Sequence, residues 1–366
     1  MSSIKAVQDW GLPHPGMFLC AGPCSAESHE QLRAAAGALA GTISVFRAGI
    51  WKPRTRPGTF ASAGAEALKW LAAVRAEFGV RIAAEVGTPR HVELAVRHGL
   101  DMVWIGARTT PDPFAVQAIA DALKGLDVAV LVKNPVSPDL ELWLGALERM
   151  QNAGISRLGA VHRGFTTSHD TRYRNSPLWR IPIELRRRLP GVPMICDPSH
   201  MCGRADLIFP TAQEALDLLY DGLMVEVHHS PKDAWSDAGQ QLSPAQFRDL
   251  LCRLVIRRET GPDQSYESSL RTMRHGVDEI DDAILDLLAR RMRLAGEMGQ
   301  LKRQHQVSTL QPARWNEILA SRQQAGRNRG LSEDFIARVY EIIHEEAIRL
   351  QEEPLFRDSG DSRPST

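Results

Sequence analysis

Eight short apolar runs fill the first two-thirds of this chain, and each stops at a charged or metal-capable side chain. They are residues 17–24, 44–50, 80–86, 102–106, 128–133, 157–163, 192–199 and 222–228. Their polar ends are Cys24, Arg47, Glu85, Arg108, Lys133, Arg163, His200 and Glu226. A strand buried on both faces reads as a nearly continuous Val/Ile/Leu run, which is how parallel strands look. Between the runs, segments 27–40, 61–77, 89–98, 112–124, 138–153, 176–189, 211–220 and 243–257 carry apolar residues at helical spacing. Thr88-Pro89, Ser137-Pro138 and Ser243-Pro244 suit N-cap and N1 positions. Such alternation predicts an α/β fold, a (β/α)8 TIM barrel over residues 1–258 with right-handed crossovers. In such barrels the active site lies where the strands end, so these side chains are expected around one mouth.

The pattern changes after the barrel. Residues 259–267 contain Gly261-Pro262-Asp263 and read as a linker. Residues 268–353 are predicted to form an all-α three-helix domain: one helix over 268–305, then 312–325 and 332–352, the last capped by Ser332. A 38-residue helix is ~57 Å long and is too unequal to its neighbours for an isolated bundle, so a homodimer through this domain is expected. Residues 354–366 are short of apolar side chains and read as a disordered tail.

Lys and Arg (44) balance Asp and Glu (44), so no global field favours nucleic acid or a membrane surface. The Arg186-Arg187-Arg188 run reads as a solvated helix face. No segment approaches the ~18 uninterrupted apolar residues of a membrane span. Five scattered cysteines do not form a disulfide framework, and a cytoplasmic protein is the simplest expectation.

Arg47, Lys52, Arg54, Arg108, Lys133 and Arg163 fall at strand ends or in the loop just after one. Gathering them without counter-charge costs several kcal/mol, so the arrangement implies multiply anionic substrates such as phosphates and carboxylates. Cys24, His200 and Glu226 end runs one, seven and eight, and Asp237 follows run eight. One thiolate, one imidazole and two carboxylates suit one borderline divalent ion, Mn2+, Fe2+, Co2+ or Zn2+, better than Mg2+. A rival grouping by spacing is Cys196/His200/Cys202.

Several collinear blocks carry a resemblance: Gly22-Pro23-Cys24-Ser25, Arg47 with Lys52-Pro53-Arg54-Thr55, Ile105-Gly106-Ala107-Arg108, Asp197-Pro198-Ser199-His200, Glu226-Val227-His228 and Ser236-Asp237. Over residues 15–257 the chain resembles 3-deoxy-D-arabino-heptulosonate 7-phosphate (DAHP) synthase. The resemblance implies condensation of phosphoenolpyruvate with erythrose 4-phosphate. It also implies Cys24, His200, Glu226 and Asp237 as metal ligands. Arg47, Lys52, Glu85, Arg108, Lys133 and Arg163 match the phosphoenolpyruvate site, and Arg54 with Thr55 the erythrose 4-phosphate site. Either Lys133 or His200 is placed to shuttle a proton. The sibling octulosonate 8-phosphate synthase, which takes a five-carbon aldose phosphate, typically has Lys-Ala-Asn-Arg where this chain has Lys52-Pro53-Arg54-Thr55.

In the helical domain Arg291 and Lys302 are three turns and ~16.5 Å apart on one face. Arg274 falls about 100° away from Arg291, where it suits a partner's pocket. This region resembles the all-helical chorismate mutases, which need no cofactor. The resemblance assigns Arg274 (from the other protomer), Arg291, Lys302, Arg314 and Gln351 to chorismate, with Lys302 and Gln351 donating to the ether oxygen. Three positions depart from the commonest pattern: Gln311 replaces an Asp, Trp315 a Glu that meets the ring hydroxyl, and Ala347 a Ser. The leading expectation is a bifunctional enzyme. A non-catalytic, chorismate- or prephenate-sensing helical domain with an allosteric role is the alternative, and an octulosonate synthase with an oligomerising tail is the lesser one.

Overall fold

A computed structural model describes residues 4–13, 16–51, 63–167, 172–257, 261 and 263–352. The expectations for Lys52, Arg54, Thr55 and the 354–366 tail lie outside those residues. The chain divides into two compact units, Met1–Glu259 and Thr260–Thr366.

Among the described residues, eight strands close a parallel barrel in chain order: β1 (Phe18–Gly22), β2 (Val45–Arg47), β3 (Ile82–Val86), β4 (Met102–Ile105), β5 (Ala129–Lys133), β6 (Leu158–His162), β7 (Met194–Cys196) and β8 (Gly222–Glu226). The ring shuts through β1–β8 pairing, with Gly22 opposite Glu226. Around it lie α1 (His29–Leu39), α2 (Glu66–Phe78), α3 (Pro89–Arg97), α4 (Pro113–Leu123), α5 (Leu140–Asn152), α6 (Arg180–Arg188), α7 (Pro198–Cys202), α8 (Ile208–Asp217) and α9 (Pro244–Arg253). Thr88 caps α3 and Ser243 closes a capping box on α9, both followed by Pro at N1. The cap of α5 is Asp139 rather than Ser137, because the Asp139 carboxylate accepts from Leu142 N.

The side-chain period of two sorts each strand. Phe18, Cys20, Val45, Ala83, Met102, Trp104, Ala129, Leu131, Val161, Ile195 and Met224 form one buried cluster inside the barrel. The larger cluster packs the outward residues against the helices. The segment Val7–Trp10 belongs to the inner cluster and meets β1 edge-on, with the Trp10 and Phe18 rings 5.8 Å apart. Arg157 ties it down by donating to Trp10 O at 2.9 Å. The sequence alone gave this segment no role.

In the second unit, α10 (Gln264–Gln304) is 41 residues and ~61 Å long, followed by α11 (Pro312–Arg327) and α12 (Glu333–Glu352). The long helix starts inside the expected linker because Asp263 caps it, accepting from Tyr266 N. Arg291 donates to Ile343 O, and Lys302 donates to Gln351, so residue numbers rise together and α10 and α12 run parallel. A Cβ on Gly299 would overlap the Gln351 backbone, so glycine permits this close approach. An apolar stripe along α10 is left uncovered: Met273, Val277, Ile280, Ile284, Leu287, Leu294 and Met298 are all more than 45% exposed.

Candidate active sites

The mouth of the barrel is set by the same alternation. Two residues beyond inward-facing Val45, Ala83, Leu131, Val161, Ile195 and Met224 come Arg47, Glu85, Lys133, Arg163, Asp197 and Glu226. Each continues the inward parity of its strand, so six charged groups converge above one apolar plug. Trp104 roofs that plug. Its indole lies 4.9 Å from the Arg47 guanidinium and 5.8 Å from Lys133 Nζ, and it donates to Glu85 Oε2 at 3.0 Å. Gly106 has to lack a side chain, since a Cβ there would overlap the Glu85 carboxylate.

One expectation needs correction. His200 does not end strand seven; Asp197 does, and it caps α7, on which His200 sits one turn further. Its carboxylate lies 2.8 Å from Lys133 Nζ and 2.8–3.0 Å from His200 Nδ1. Burial disfavours charge on Asp197, but His200 and Lys133 reverse that and hold its carboxyl well below the usual range. Burial also pushes the His200 imidazole down, against the pull of Asp197.

The four expected metal ligands fall in two pairs. Cys24 Sγ is 3.1 Å from Asp237 Oδ2, and His200 Nε2 is 3.5 Å from Glu226 Oε1. Ligands bonded at 2.0–2.3 Å to one ion stand about 3–3.7 Å from each other, so both pairs have the spacing of shared donors. The pairs are joined through protein groups. Arg174 Nη1 bridges Asp237 Oδ1 (2.8 Å) and Gln240 Oε1 (2.9 Å), and Gln240 donates to Glu226 Oε2 at 2.7 Å. Among the described residues, no three His, Cys, Asp or Glu side chains are gathered on one point. The donor chemistry suits a borderline divalent ion, and Arg174 and Gln240 hold the other two carboxylate oxygens, Asp237 Oδ1 and Glu226 Oε2. The grouping Cys196/His200/Cys202 is not formed: Cys196 faces the helices, Cys202 contacts Thr211 at 3.3 Å, and burial raises both thiols.

The loop bearing Asp237 is pinned to the end of β1. Ser25 and Ser236 hydroxyls are 2.7 Å apart, Trp235 N donates to Glu27 Oε1 at 2.8 Å, and Cys24 N donates to Gln241 Oε1 at 3.0 Å. Asp237 itself has φ +48°, a left-handed conformation that costs on the order of 1 kcal/mol and is commonest at functional sites.

Arg47 is fully buried. One nitrogen reaches Glu226 at 3.4 Å and the carbonyls of Pro23 and Cys24, while Nε and Nη1 have no acceptor. Arg163, one residue beyond β6, is pushed down to about 10 by burial and by Arg174 and Arg108, with Asp197 opposing. Arg108 stands in the turn after β4 and is exposed. Unsatisfied buried donors beside an excess of positive charge mark a place for an anion. Of the central residues, Asp197, Trp104, Arg174 and Gln240 were not among the candidates read from sequence. Strand parity would have found the first two; the others sit in irregular loops and leave no periodic signal.

In the helical unit, Arg291, Arg314, Glu317, Ser321, Arg322 and Tyr340 line a cleft of about 400 Å³. Lys302 Nζ lies 3.0 Å from Gln351 Oε1 and 2.8 Å from Thr309 O. Arg314 is exposed and paired with Glu317 at 2.6 Å, and Arg274 is exposed on the uncovered half of α10. Trp315 stacks on His344, with centroids 4.0 Å apart and planes 7° from parallel. Gln311, which stands where an Asp is usual, is exposed at the start of α11.

The DAHP synthetase I family model matches residues 14–260, and the chorismate mutase type II model matches residues 273–352. The phospho-2-dehydro-3-deoxyheptonate aldolase of Thermotoga maritima is 30% identical over 238 residues, 64% of this chain and 67% of that protein. A crystal structure of a DAHP synthase from Thermotoga maritima superposes with TM-score 0.61 at 27% identity, covering 69% of this chain and 72% of the other. The 4-amino-4-deoxychorismate mutase of Streptomyces venezuelae is 27% identical over 93 residues, 25% of this chain and 90% of that protein.

Proposed function

This chain belongs to the DAHP synthetase I family and carries a chorismate mutase type II domain with both activities, and on that premise we propose which reactions it runs and which residues run them. The barrel condenses phosphoenolpyruvate with erythrose 4-phosphate. C3 of phosphoenolpyruvate attacks the aldehyde carbon, water adds at C2, the aldehyde oxygen takes a proton, and the C2–O bond breaks to release inorganic phosphate. Arg47, Lys133, Arg163 and Arg108 hold the phosphate and carboxylate and stabilise the charge that grows as phosphate leaves. Glu85 fixes Trp104 beneath them. Lys133 and His200 both bond the ionised Asp197 carboxylate, which orients them so that either can pass a proton to or from the substrate. Cys24, His200, Glu226 and Asp237 would hold a divalent ion, which supplies Lewis acidity to the aldehyde oxygen. By the same reading Lys52 completes the phosphoenolpyruvate site, and Arg54 with Thr55 contact the aldose phosphate.

The observation that carries this reading is Arg47, a guanidinium with no access to solvent and two donors left without acceptors. Glu226 balances its charge, but the two open nitrogens are donors that an anion would satisfy.

The helical unit rearranges chorismate to prephenate. Arg291 and Arg314 take the carboxylates, and Lys302 with Gln351 stabilises the ether oxygen as its bond breaks, so catalysis is conformer selection plus electrostatics. The uncovered face of α10 pairs with a second copy, bringing the partner's Arg274 to the site in a homodimer. The test uses the full chain with phosphoenolpyruvate and either a four- or a five-carbon aldose phosphate, and separately with chorismate. Phosphate release with the four-carbon sugar and conversion of chorismate are expected. Release with the five-carbon sugar alone, or binding of chorismate without conversion, would refute the respective half.

A further inference from the structure

The mutase reading leaves one group unexplained. Trp315 stands where a carboxylate would meet the ring hydroxyl, and Glu317, the nearby carboxylate in the cleft, is already paired with Arg314. Opposite Trp315, on α12, His344 presents a buried Nε2 with no hydrogen-bond partner. His344 lies seven residues before Gln351, two turns back on the same helix face. Its neighbour Ile343 accepts from Arg291, and both Arg291 and Lys302 act on its ring electrostatically. One flat face of the imidazole is covered by indole, and the Nε2 on its edge is left to bond.

We propose that His344, held by Trp315, takes over the carboxylate's task and hydrogen-bonds the ring hydroxyl of the cyclohexadienyl dicarboxylate bound by Arg291 and Lys302. This assignment rests on the mutase reading above. Burial and the two cations keep the imidazole neutral, so it offers one donor or one acceptor and no charge. A hydroxyl satisfies either form, because it both donates and accepts. An ammonium at the same ring position donates only, and it would add positive charge to a site that already holds Arg291, Lys302 and Arg314. The site therefore selects the hydroxylated substrate over its 4-amino analogue.

The experiment measures kcat/KM of the full chain for chorismate, for an analogue lacking the ring hydroxyl, and for the 4-amino analogue. His344→Phe keeps a ring against Trp315 but removes the nitrogen. It should lower kcat/KM for chorismate about tenfold and leave the deoxy analogue within roughly twofold. His344→Gln, which restores a polar edge, should recover part of the loss. Far-ultraviolet circular dichroism of the helical signal serves as the folding control for both variants. Equal loss on both substrates, or no loss on chorismate, would overturn the assignment, as would wild-type preference for the 4-amino analogue. If the wild type neither converts nor binds chorismate, the mutase reading itself falls, an outcome visible before any variant is made.

Discussion

The two units solve the problem of gathering positive charge in opposite ways. In the barrel, Arg47 and Lys133 are 1% and 4% exposed, and each is tied to a fully buried acid, Glu226 and Asp197. Removing one partner of such a pair costs about 3–5 kcal/mol, so the arrangement is built in before any substrate arrives. In the helical unit, Arg274 and Arg314 are exposed, and only Ala295 and Gly299 of the long helix are buried. Those cations and the apolar stripe of α10 both lie open. A closed sheet buries its charges among its own strands, whereas a single long helix leaves most of its side chains uncovered.

The strongest break in that comparison comes from Cys24→Ala. It removes one member of the Cys24–Asp237 pair, and DAHP formation is expected to fall at least about 1,000-fold while chorismate turnover stays at wild-type rate. Arg291→Ala reverses the pattern. Chorismate kcat/KM should fall roughly 100- to 1,000-fold with condensation intact, because a bidentate carboxylate contact is lost. Equal loss of both rates in either variant would show that the units do not act independently.

A subtler break targets association. Ile280→Asp places a charge in the exposed apolar stripe of α10. Sedimentation should show a monomer, and mutase activity should drop about tenfold at low concentration, whereas condensation persists. A variant that remains a full-activity dimer would refute the role given to that stripe.

Acid sharpens the contrast further. His162 is fully buried against Tyr220, and burial pulls its pKa down to about 3, below the 6.5 of an unfolded chain. The unfolded state takes up the proton first as pH falls. The stabilisation is therefore complete above pH 6.5 and declines toward pH 3, by roughly 5 kcal/mol in all. Barrel stability followed by near-ultraviolet circular dichroism should fall across that window, and His162→Gln should flatten the slope. An unchanged slope would remove His162 from the explanation.

Much of the barrel was legible because buried parallel strands write themselves as apolar runs, and a strand's parity decides which end residue faces the mouth. Reading the polar ends of those runs picked out Arg47, Glu85, Lys133, Arg163 and Glu226, each of which also keeps its strand's inward parity. It erred at strand seven, where chemical suggestiveness favoured His200 over Asp197, although Asp197 keeps the inward parity. Arg174 and Gln240 were invisible since irregular loops carry no period. Asp263 extended α10 backward into a stretch whose glycine and proline suggested a linker, a local cap overriding composition. The stack of Trp315 on His344 joins two helices distant in sequence, and no spacing rule reports such a pair.

Binding decides the central claim most directly, because it separates holding an anion from transforming it. Full-length wild type, Lys133→Met and Arg291→Ala would each be titrated calorimetrically with phosphoenolpyruvate and with chorismate. The account predicts that wild type binds both, that Lys133→Met loses only phosphoenolpyruvate, and that Arg291→Ala loses only chorismate. Undiminished binding of phosphoenolpyruvate by Lys133→Met, together with undiminished binding of chorismate by Arg291→Ala, would contradict it.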